Sequence, residues 1–309
     1  MQSQNLKAFA ALTLGVCVFS IQDVIIKELA GRYPITQAMT VRSVVALPLL
    51  LGLVVWTAGG LRSIFARDLG WLALRALVFF VSYLCYYLAL AALPIADAVA
   101  LYFTAPLIIS GLAVVLLGER LRWHTAVALL AGFAGVLVML DPGEGVFQWT
   151  GLLVVVGAGL YGASQIITRR IGSGVPAAVM TFHQNLALLF GAPLLTMTFA
   201  ALGIREAAHP SLEFLVRPWV WPTPVDFAMM ASCGVIAGVA MTLLSQAYRM
   251  APAARVSVFE YTAILWGPLW GFLFFAEVPR AATWAGAALI CGAGLFALGR
   301  ELRTRELPA

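Results

Sequence analysis

The sequence predicts an all-α membrane protein with ten transmembrane helices arranged as two inverted five-helix repeats. The prediction rests on an apolar composition, on long apolar runs along the whole chain, and on a weak but ordered match between its two halves. Hydrophobic residues make up 62% of the chain and charged residues 11%, and the mean hydropathy is +0.95. Because soluble domains carry roughly a quarter charged residues, water is excluded as the main solvent.

The apolar runs divide the chain into ten predicted spans. A bilayer core about 30 Å thick requires around 20 apolar residues per helix. On that scale the spans lie near residues 8–29, 36–57, 70–92, 96–117, 124–140, 149–169, 176–201, 226–249, 252–276 and 281–299. The first run lacks a small-residue cleavage site, so we expect it to be retained as a span.

Basic residues are distributed unequally between the two sides of these spans. Twelve lysines and arginines fall on the side that holds both termini, and five fall on the opposite side. Cytoplasmic loops are enriched in basic residues, so both termini are predicted to be cytoplasmic, in a bacterial inner membrane. This asymmetry accounts for the net charge of +5 without a nucleic-acid partner. The four cysteines lie singly in apolar runs, so no metal, disulfide framework or cofactor is expected.

The two halves of the chain match each other at two offsets. At an offset of 141 the first two spans align with spans six and seven, and at an offset of 158 spans four and five align with nine and ten. The matched residues include Met39 with Met180, Pro94 with Pro252, Thr104 with Thr262 and Glu119 with Glu277. One insertion, residues 202–224, explains the change of offset. The predicted repeats are 1–145 and 146–309, and five spans per repeat make them inverted.

Several short motifs lie at equivalent places in these repeats. They are Pro94-Ile95-Ala96-Asp97-Ala98, Gly118-Glu119-Arg120, Ala251-Pro252-Ala253-Ala254 and Ala276-Glu277, together with Arg42 in span two. The pattern resembles the drug/metabolite transporter superfamily, in its ten-helix EamA-type branch, and within it the aromatic amino acid exporters. The resemblance implies a central cavity lined by spans three, four, eight and nine. The second repeat departs from the Glu-Arg pattern, so a capping or interfacial role is expected for Glu277.

The functional prediction is an inner-membrane secondary transporter that exports small organic solutes by alternating access around a mid-membrane cavity. The expected solutes are amino acids, aromatic or otherwise neutral, or related metabolites. An efflux carrier for drugs or toxic compounds is the alternative, and a passive channel or membrane scaffold is the alternative of another class. An enzyme is not expected, since the spans contain no catalytic motif. The expected partners are a small-molecule substrate and the lipid bilayer, and the chain is a monomer or homodimer.

Glu260 is a carboxyl group inside the ninth predicted span. Counting about 1.5 Å per residue from Pro252 places it about 12 Å below the cytoplasmic surface. A charge in hydrocarbon is costly, so this group is expected to be protonated or paired. Two interpretations stay open, a proton-coupling or substrate-amine group and a structural hydrogen-bonding partner. Tyr102, its counterpart at the offset of 158, is expected across the pseudo-two-fold axis.

Polar and aromatic side chains in spans three, four, eight and nine form the predicted substrate site. Tyr83 and Tyr87 share a helical face, and an aromatic stripe facing a polar one would hold both the apolar body and the polar end of a solute. The alternative is a belt of aromatic residues at the membrane interface. The predicted substrate-binding residues are Tyr83, Tyr87, Tyr102, Thr104, Ser245, Gln246, Glu260, Tyr261 and Trp266.

Arg42 and His183 occupy corresponding positions in spans two and seven. Together with Glu260 they are the predicted gating or coupling residues, and bracing of the helices is the alternative for the first two. His183 is either a proton relay or a satisfied buried histidine. Arg75 lies near the cytoplasmic end of span three, where its side chain is expected to snorkel to the surface.

Two further features have more than one interpretation. Small residues four apart in spans five and ten predict close helix contacts, either between the repeats or between two copies of the chain. They are Ala128 with Gly132, and Ala288 with Gly292. The proline-rich loop 202–224 is expected on the periplasmic surface, as a lid or as an insertion without function.

Overall fold

The computed structural model describes residues 2–65, 68–93, 98, 101–140, 149–266 and 281–303. These residues form helices and turns without a strand, which confirms the all-helical prediction. The segment 94–97 of the first motif and Glu277 of the last lie outside the described residues.

Eleven α-helices are found among the described residues. Their bounds are α1 Gln2–Ala30, α2 Ile35–Ala58, α3 Leu69–Leu90, α4 Ala105–Leu117, α5 Trp123–Leu140, α6 Trp149–Ile171, α7 Ala177–Ala201, α8 Pro210–Val216, α9 Pro224–Met250, α10 Ala253–Val256 and α11 Ala281–Arg303. In this part of the chain six helices are long and apolar enough to cross a membrane, namely α1, α2, α3, α6, α7 and α9. Large apolar side chains such as Trp56, Val115 and Phe190 are exposed on the outside, as contact with lipid requires.

The helices begin and end where the sequence supplies turn chemistry. Pro34 and Pro176 precede α2 and α7 in the extended conformation. Gly59 and Gly118 end α2 and α4 with φ angles of 74° and 66°, which favour glycine. Short connections of this kind keep sequential helices antiparallel.

The helices pack mainly across the two halves of the chain. α1 packs against α9, and α3 packs against α6. α2 contacts both α7 and α9, and α3 also contacts α7. α4 packs against α6, while the segment Ser257–Thr262 packs against α1. α5 and α11 pack against each other and also contact the segment Ser257–Thr262. The interior is therefore an interface between the halves.

Glycines allow two of these helix pairs to approach closely. A Cβ on Gly15 of α1 would lie 3.2 Å from the carbonyl oxygen of Ala240 and 3.2 Å from the Cβ of Leu243. A Cβ on Gly157 of α6 would lie 3.2 Å from the carbonyl oxygen of Ser82. Both helix pairs thus meet nearly backbone to backbone, as is common for small residues in membrane helices.

The segments predicted as spans 96–117 and 252–276 are interrupted rather than regular helices over their described residues. α4 begins only at Ala105, after a turn at residues 103–104. In the second segment α10 gives way to a 3₁₀ helix at Ser257–Thr262. The hydroxyl of Thr104 donates to the carbonyl of Leu101 at 2.7 Å, and that of Thr262 to the carbonyl of Phe259 at 2.6 Å. Such short-range bonds compete with the regular helical ladder.

The insertion 202–224 contains α8 and is fastened to the start of α2. The Nε1 of Trp219 donates to Thr36 and to Thr196, which brings α2 and α7 together. Arg217 donates to the carbonyls of Ala30 and Gly31. The loop therefore covers one end of the helix assembly.

The small-residue pairs of α5 and α11 have different surroundings. Ala128 is buried, and a Cβ on Gly132 would lie 2.4 Å from the ring of Tyr261. Ala288 and Gly292 are exposed. The first pair thus packs inside the molecule, whereas the second faces outward.

Candidate functional site

The carboxyl group of Glu260 is buried among elements of the second half of the chain. It is 6% exposed. Its Oε1 accepts hydrogen bonds from the hydroxyls of Tyr161, at 2.7 Å, and Tyr248, at 2.5 Å. Glu260 belongs to none of the ion pairs formed by the described residues. Among the described residues, this acidic group therefore has hydrogen-bond donors but no cation paired with it.

Local structure explains how these three side chains converge. Glu260 lies in the 3₁₀ segment, where the tighter winding changes the direction in which successive side chains point. Tyr161 comes from the middle of α6 and Tyr248 from the last turns of α9, and both rings are buried. Three separate elements of the second half thus contribute to one polar group.

A second buried polar group is built around Arg42 of α2. The Nη1 of Arg42 donates to the Oε1 of Gln22 at 2.9 Å and to the hydroxyl of Tyr83 at 2.7 Å. The Nε2 of Gln22 donates to the hydroxyls of Tyr83 and Tyr87, at 3.2 Å each. The guanidinium carbon of Arg42 also lies 4.7 Å from the centre of the Tyr83 ring. We call Arg42, Gln22, Tyr83 and Tyr87 the arginine cluster.

A series of tyrosine rings connects the arginine cluster with Glu260. Ring centres are separated by 4.4 Å between Tyr83 and Tyr87, 5.0 Å between Tyr87 and Tyr86, and 4.7 Å between Tyr86 and Tyr102. The next step, from Tyr102 to Tyr161, is 5.8 Å. Distances of this size are typical of interacting aromatic pairs. Tyr102 is half-buried and the other four rings are buried.

Arg75 is buried, contrary to the expectation that it snorkels to the surface. It is 1% exposed. Its Nε donates to the hydroxyl of Thr168 at 2.6 Å, its Nη1 to the carbonyl of Met180 at 3.0 Å, and its Nη2 to the hydroxyl of Ser245 at 2.8 Å. The prediction was wrong because fixed acceptors from α6, α7 and α9 surround the guanidinium. Ser245, predicted to bind substrate, is thereby engaged with Arg75.

Gln246 and Arg249 lie at the end of α9, away from the tyrosine series. The amide of Gln246 contacts the sulfur of Met250 at 3.0 Å and accepts from Arg249 at 2.5 Å. Arg249 also donates to the carbonyl of Ser173. Arg249 lines an open cleft of about 430 Å³ together with Leu117, Glu119, Arg169, Gly172 and Ser173. The structure thus places Gln246 near this cleft and not beside Glu260.

The remaining predicted residues lie in four different environments. The hydroxyl of Thr104 is bonded within its own turn, and Trp266 is half-buried near the end of the described segment. Tyr261 packs between Phe103, at 5.9 Å between ring centres, and Gly132. His183 is half-buried, and its Nδ1 lies 2.9 Å from the carbonyl of Val179 in its own helix. Arg42 and His183 therefore differ in their partners, although they correspond in the sequence.

Gln22 and Tyr161 are prominent members of the site that sequence reasoning did not single out. Both are polar residues within long apolar runs. Because burying a polar group in hydrocarbon is costly, this position alone could have marked them as candidates. At the offset of 141, Gln22 meets the apolar Ala163, whereas Tyr161 meets Ser20. Comparison of the halves therefore could not reveal Gln22.

Comparison with known families gives two consecutive matches to one model. The EamA-like transporter family matches residues 6–141 and again residues 148–299. Together these ranges cover nearly all of the described helices.

Curated relatives are named for the transport of several different solutes. A riboflavin transporter of Rhizobium johnstonii is 35% identical over 220 residues, which cover 71% of this chain and 67% of that protein. The pseudopaline exporter CntI of Pseudomonas aeruginosa is 26% identical over 276 residues, 88% of this chain and 89% of its own length. An S-adenosylmethionine uptake transporter of Rickettsia bellii is 25% identical over 228 residues, 74% of this chain and 72% of that protein.

A solved crystal structure shares the fold. It aligns with 96% of this chain and 99% of its own length, with a TM-score of 0.76 and 20% sequence identity. The family and its named relatives are transporters rather than enzymes, and the aromatic amino acid exporter subtype is not among the relatives described above. The chain is a multi-pass membrane protein of the EamA-like transporter family.

Proposed function

We propose that this chain carries a small organic solute through a site between two inverted halves, residues 1–145 and 146–309. In this proposal ten segments cross a bacterial inner membrane, both termini are cytoplasmic, and the halves rock to expose the site alternately to each side. The observation that carries the proposal is the buried carboxyl of Glu260, which receives two tyrosine hydroxyls and no cation among the described residues.

The packing of the helices supports the two-fold relation between the halves. If α1 and α2 correspond to α6 and α7, and α3 to α9, then the contact of α1 with α9 is the counterpart of that of α6 with α3. The contact of α2 with α9 is likewise the counterpart of that of α7 with α3. The two matches to one family model fit the same division.

Individual residues support the same relation. The offset of 158 that relates Tyr102 to Glu260 also relates Ser82 to Ala240, the two residues whose carbonyls approach Gly157 and Gly15. It further relates the Thr104 bond to Leu101 with the Thr262 bond to Phe259. Interrupted helices at equivalent places are typical of solute sites in secondary transporters.

The substrate proposed first is a planar ring compound, with riboflavin as the leading candidate. The five tyrosine rings between Arg42 and Glu260 supply stacking surfaces for such a body. The relative that is 35% identical is named as a riboflavin transporter, which supports the same choice.

Export of amino acids, aromatic or otherwise neutral, is the second candidate. A carboxyl that has no cation partner among the described residues, as at Glu260, suits an ammonium group, and the tyrosine series suits an aromatic side chain. Glu260 then serves as the substrate-amine group or as the site of proton coupling. The relatives include both an exporter and an uptake transporter, so flux must be measured in both directions.

Purified protein in liposomes tests the proposal. Flux of labelled riboflavin, tryptophan and leucine is measured into and out of the vesicles, with and without a pH gradient. We expect saturable flux of at least one solute in the wild type, and loss of that flux or of its pH response in Glu260→Gln. Wild-type protein that moves none of these solutes would oppose the proposed substrates.

Two further measurements separate the parts of the proposal. If Glu260→Gln keeps both the wild-type rate and its pH response, Glu260 is not a coupling or binding group. Reporter tags placed after α2 and α7 should lie on opposite sides of the membrane. Tags on the same side would rule out the inverted arrangement while leaving the flux result intact.

A further inference from the structure

The arginine cluster lies at the opposite end of the tyrosine series from Glu260. We infer that Arg42, with Gln22 and Tyr83, forms a subsite for acceptor oxygens of the transported solute, namely a carboxylate or a ring carbonyl. This inference rests on the proposed transport function. It assigns to Arg42 a direct contact with solute in place of the gating or bracing role expected from the sequence.

The charge of Arg42 is buried and has no counter-charge bonded to it in the part of the chain that the structure describes. Its side chain is 2% exposed. It takes part in none of the ion pairs among the described residues, where its only bonded partners are the neutral side chains of Gln22 and Tyr83. Removing an ion from water without a partner of opposite charge is unfavourable. An anionic or carbonyl oxygen of a solute would therefore stabilise the buried charge of Arg42.

The hydrogen bonds of Arg42 leave a donor available. Its Nε is buried and has no acceptor among the described residues. The amide of Gln22 is oriented by three bonds, one accepted from Arg42 and two donated to tyrosine hydroxyls. Gln22 and Tyr83 therefore hold the guanidinium in a fixed position while its Nε remains unsatisfied. Arg75 is different, because its Nε and both Nη groups have acceptors.

The two ends of the site predict the chemistry of the solute. Oxygens that accept hydrogen bonds bind at Arg42, the planar body lies along the tyrosines, and a donor or cationic group reaches Glu260. An amino acid with an aromatic side chain and a flavin both carry acceptor oxygens and a ring. A ring compound that lacks acceptor oxygens lacks one of the two polar contacts.

Binding of matched ring compounds to the full-length protein in nanodiscs tests this assignment. The probes are indolepropionate, which has a carboxylate and no amine, lumiflavin, which has ring carbonyls, and tryptamine, which has an amine and no carboxylate. Calorimetric titration gives the Kd of each. We expect Arg42→Gln to bind indolepropionate about 10- to 100-fold more weakly than wild type, and to bind tryptamine unchanged.

A second substitution guards against a simple loss of folding. Gln22→Glu places a carboxylate of nearly the same shape 2.9 Å from the Nη1 of Arg42, if the side chains keep their positions. The guanidinium then has a counter-charge within the protein. The variant should therefore fold, and yet bind indolepropionate more weakly than the wild type. Arg170→Gln, which removes a charge that lies over Trp71 outside the site, should bind all three probes like the wild type.

The binding results test the subsite independently of the flux results, which test transport. Equal affinity for indolepropionate in wild type, Arg42→Gln and Gln22→Glu would overturn the inference, and so would a wild type that binds neither indolepropionate nor lumiflavin. In either case measured flux would leave the proposed transport function standing. Absence of flux together with the expected loss of binding would instead oppose transport and retain the subsite.

Discussion

The side-chain amide of Gln37 pairs with both backbone polar groups of Val220. Its Nε2 donates to the Val220 carbonyl at 2.6 Å, and its Oε1 accepts from the Val220 N–H at 3.2 Å. Gln37 thereby adds to the contacts of Trp219 and Arg217 that attach the long insertion near the start of α2. Substitution of Gln37 removes this contact and so tests whether residues 202–224 act as a lid.

We expect Gln37→Leu to loosen this insertion. Both bonds to Val220 are lost, at a cost of about 1–2 kcal/mol, since a net hydrogen bond contributes about 1 kcal/mol. Hydrogen exchange measured by mass spectrometry should become faster in peptides that contain residues 217–223. Thr198→Ala is the control, because among the described residues its hydroxyl bonds only to the Leu194 carbonyl of its own helix. Unchanged exchange in Gln37→Leu would mean that other contacts hold the loop.

The hydroxyls of Tyr161 and Tyr248 should matter more than that of Tyr261. Tyr161→Phe and Tyr248→Phe each remove a hydrogen-bond donor from Glu260, and we expect each to lower the free energy of unfolding by about 1–3 kcal/mol. The hydroxyl of Tyr261 is buried without a partner among the described residues, so Tyr261→Phe should be neutral or stabilising. Thermal unfolding in detergent compares the three variants. Equal losses for all three would contradict the assigned role of the Glu260 bonds.

Glu119 should stabilise the start of α10. Its two carboxylate oxygens accept from the backbone N–H groups of Ala253 and Ala254, at 3.2 Å each, and Oε1 also pairs with Arg169 at 3.3 Å. We expect Glu119→Gln to cost about 1–2 kcal/mol through weaker capping, and to speed hydrogen exchange at residues 253–258.

A surface carboxylate provides the comparison for this capping prediction. The exposed side chain of Glu213 in α8 pairs with Arg217, and an ion pair at such a position contributes little. Glu213→Gln should therefore leave both the unfolding temperature and the exchange near residues 253–258 unchanged. If the two variants behave alike, the carboxylate of Glu119 does not hold the start of α10.

Gly157 and Gly159 are two residues apart in α6 and should respond in opposite ways to alanine. A Cβ on Gly157 would lie 3.1 Å from the Cβ of Cys85, while one on Gly159 meets no atom within 4 Å. Gly157→Ala forces α6 away from α3 and should cost about 1–3 kcal/mol. Gly159→Ala should be neutral or slightly stabilising because alanine favours the helix. Thermal unfolding decides, and comparable stability of both variants would argue against the close packing of α6 on α3.

Helices could be located from the sequence because hydrocarbon imposes a simple rule on segment length. The predicted segment 36–57 became α2, Ile35–Ala58, and the predicted 176–201 became α7, Ala177–Ala201. Glycine and proline marked the ends, as at Gly59. The interruption at Ser257–Thr262 was not predicted, since apolar residues flank it and composition alone does not separate 3₁₀ from α winding.

The candidate site could be predicted only where a single residue carried the signal. Glu260 was identifiable because a carboxyl group in an apolar run is unusual, and its burial is observed. Its actual donors, Tyr161 and Tyr248, come from helices whose relative rotation the sequence does not fix. Arg75 illustrates the same point, because a snorkelling and a buried arginine have the same sequence pattern and differ only in what the neighbouring helices offer.

The 3₁₀ segment has a consequence for how the chain enters the bilayer during synthesis. A short stretch that carries a carboxylate and lacks regular helical winding is a poor substrate for insertion by itself, since acidic groups at the centre of a helix are penalised by the translocon. Tyr161 and α1 are synthesised before Glu260. In the folded protein Tyr161 bonds to Glu260, and α1 packs against the segment Ser257–Thr262. We therefore expect these earlier helices to lie in the membrane before this segment packs against them.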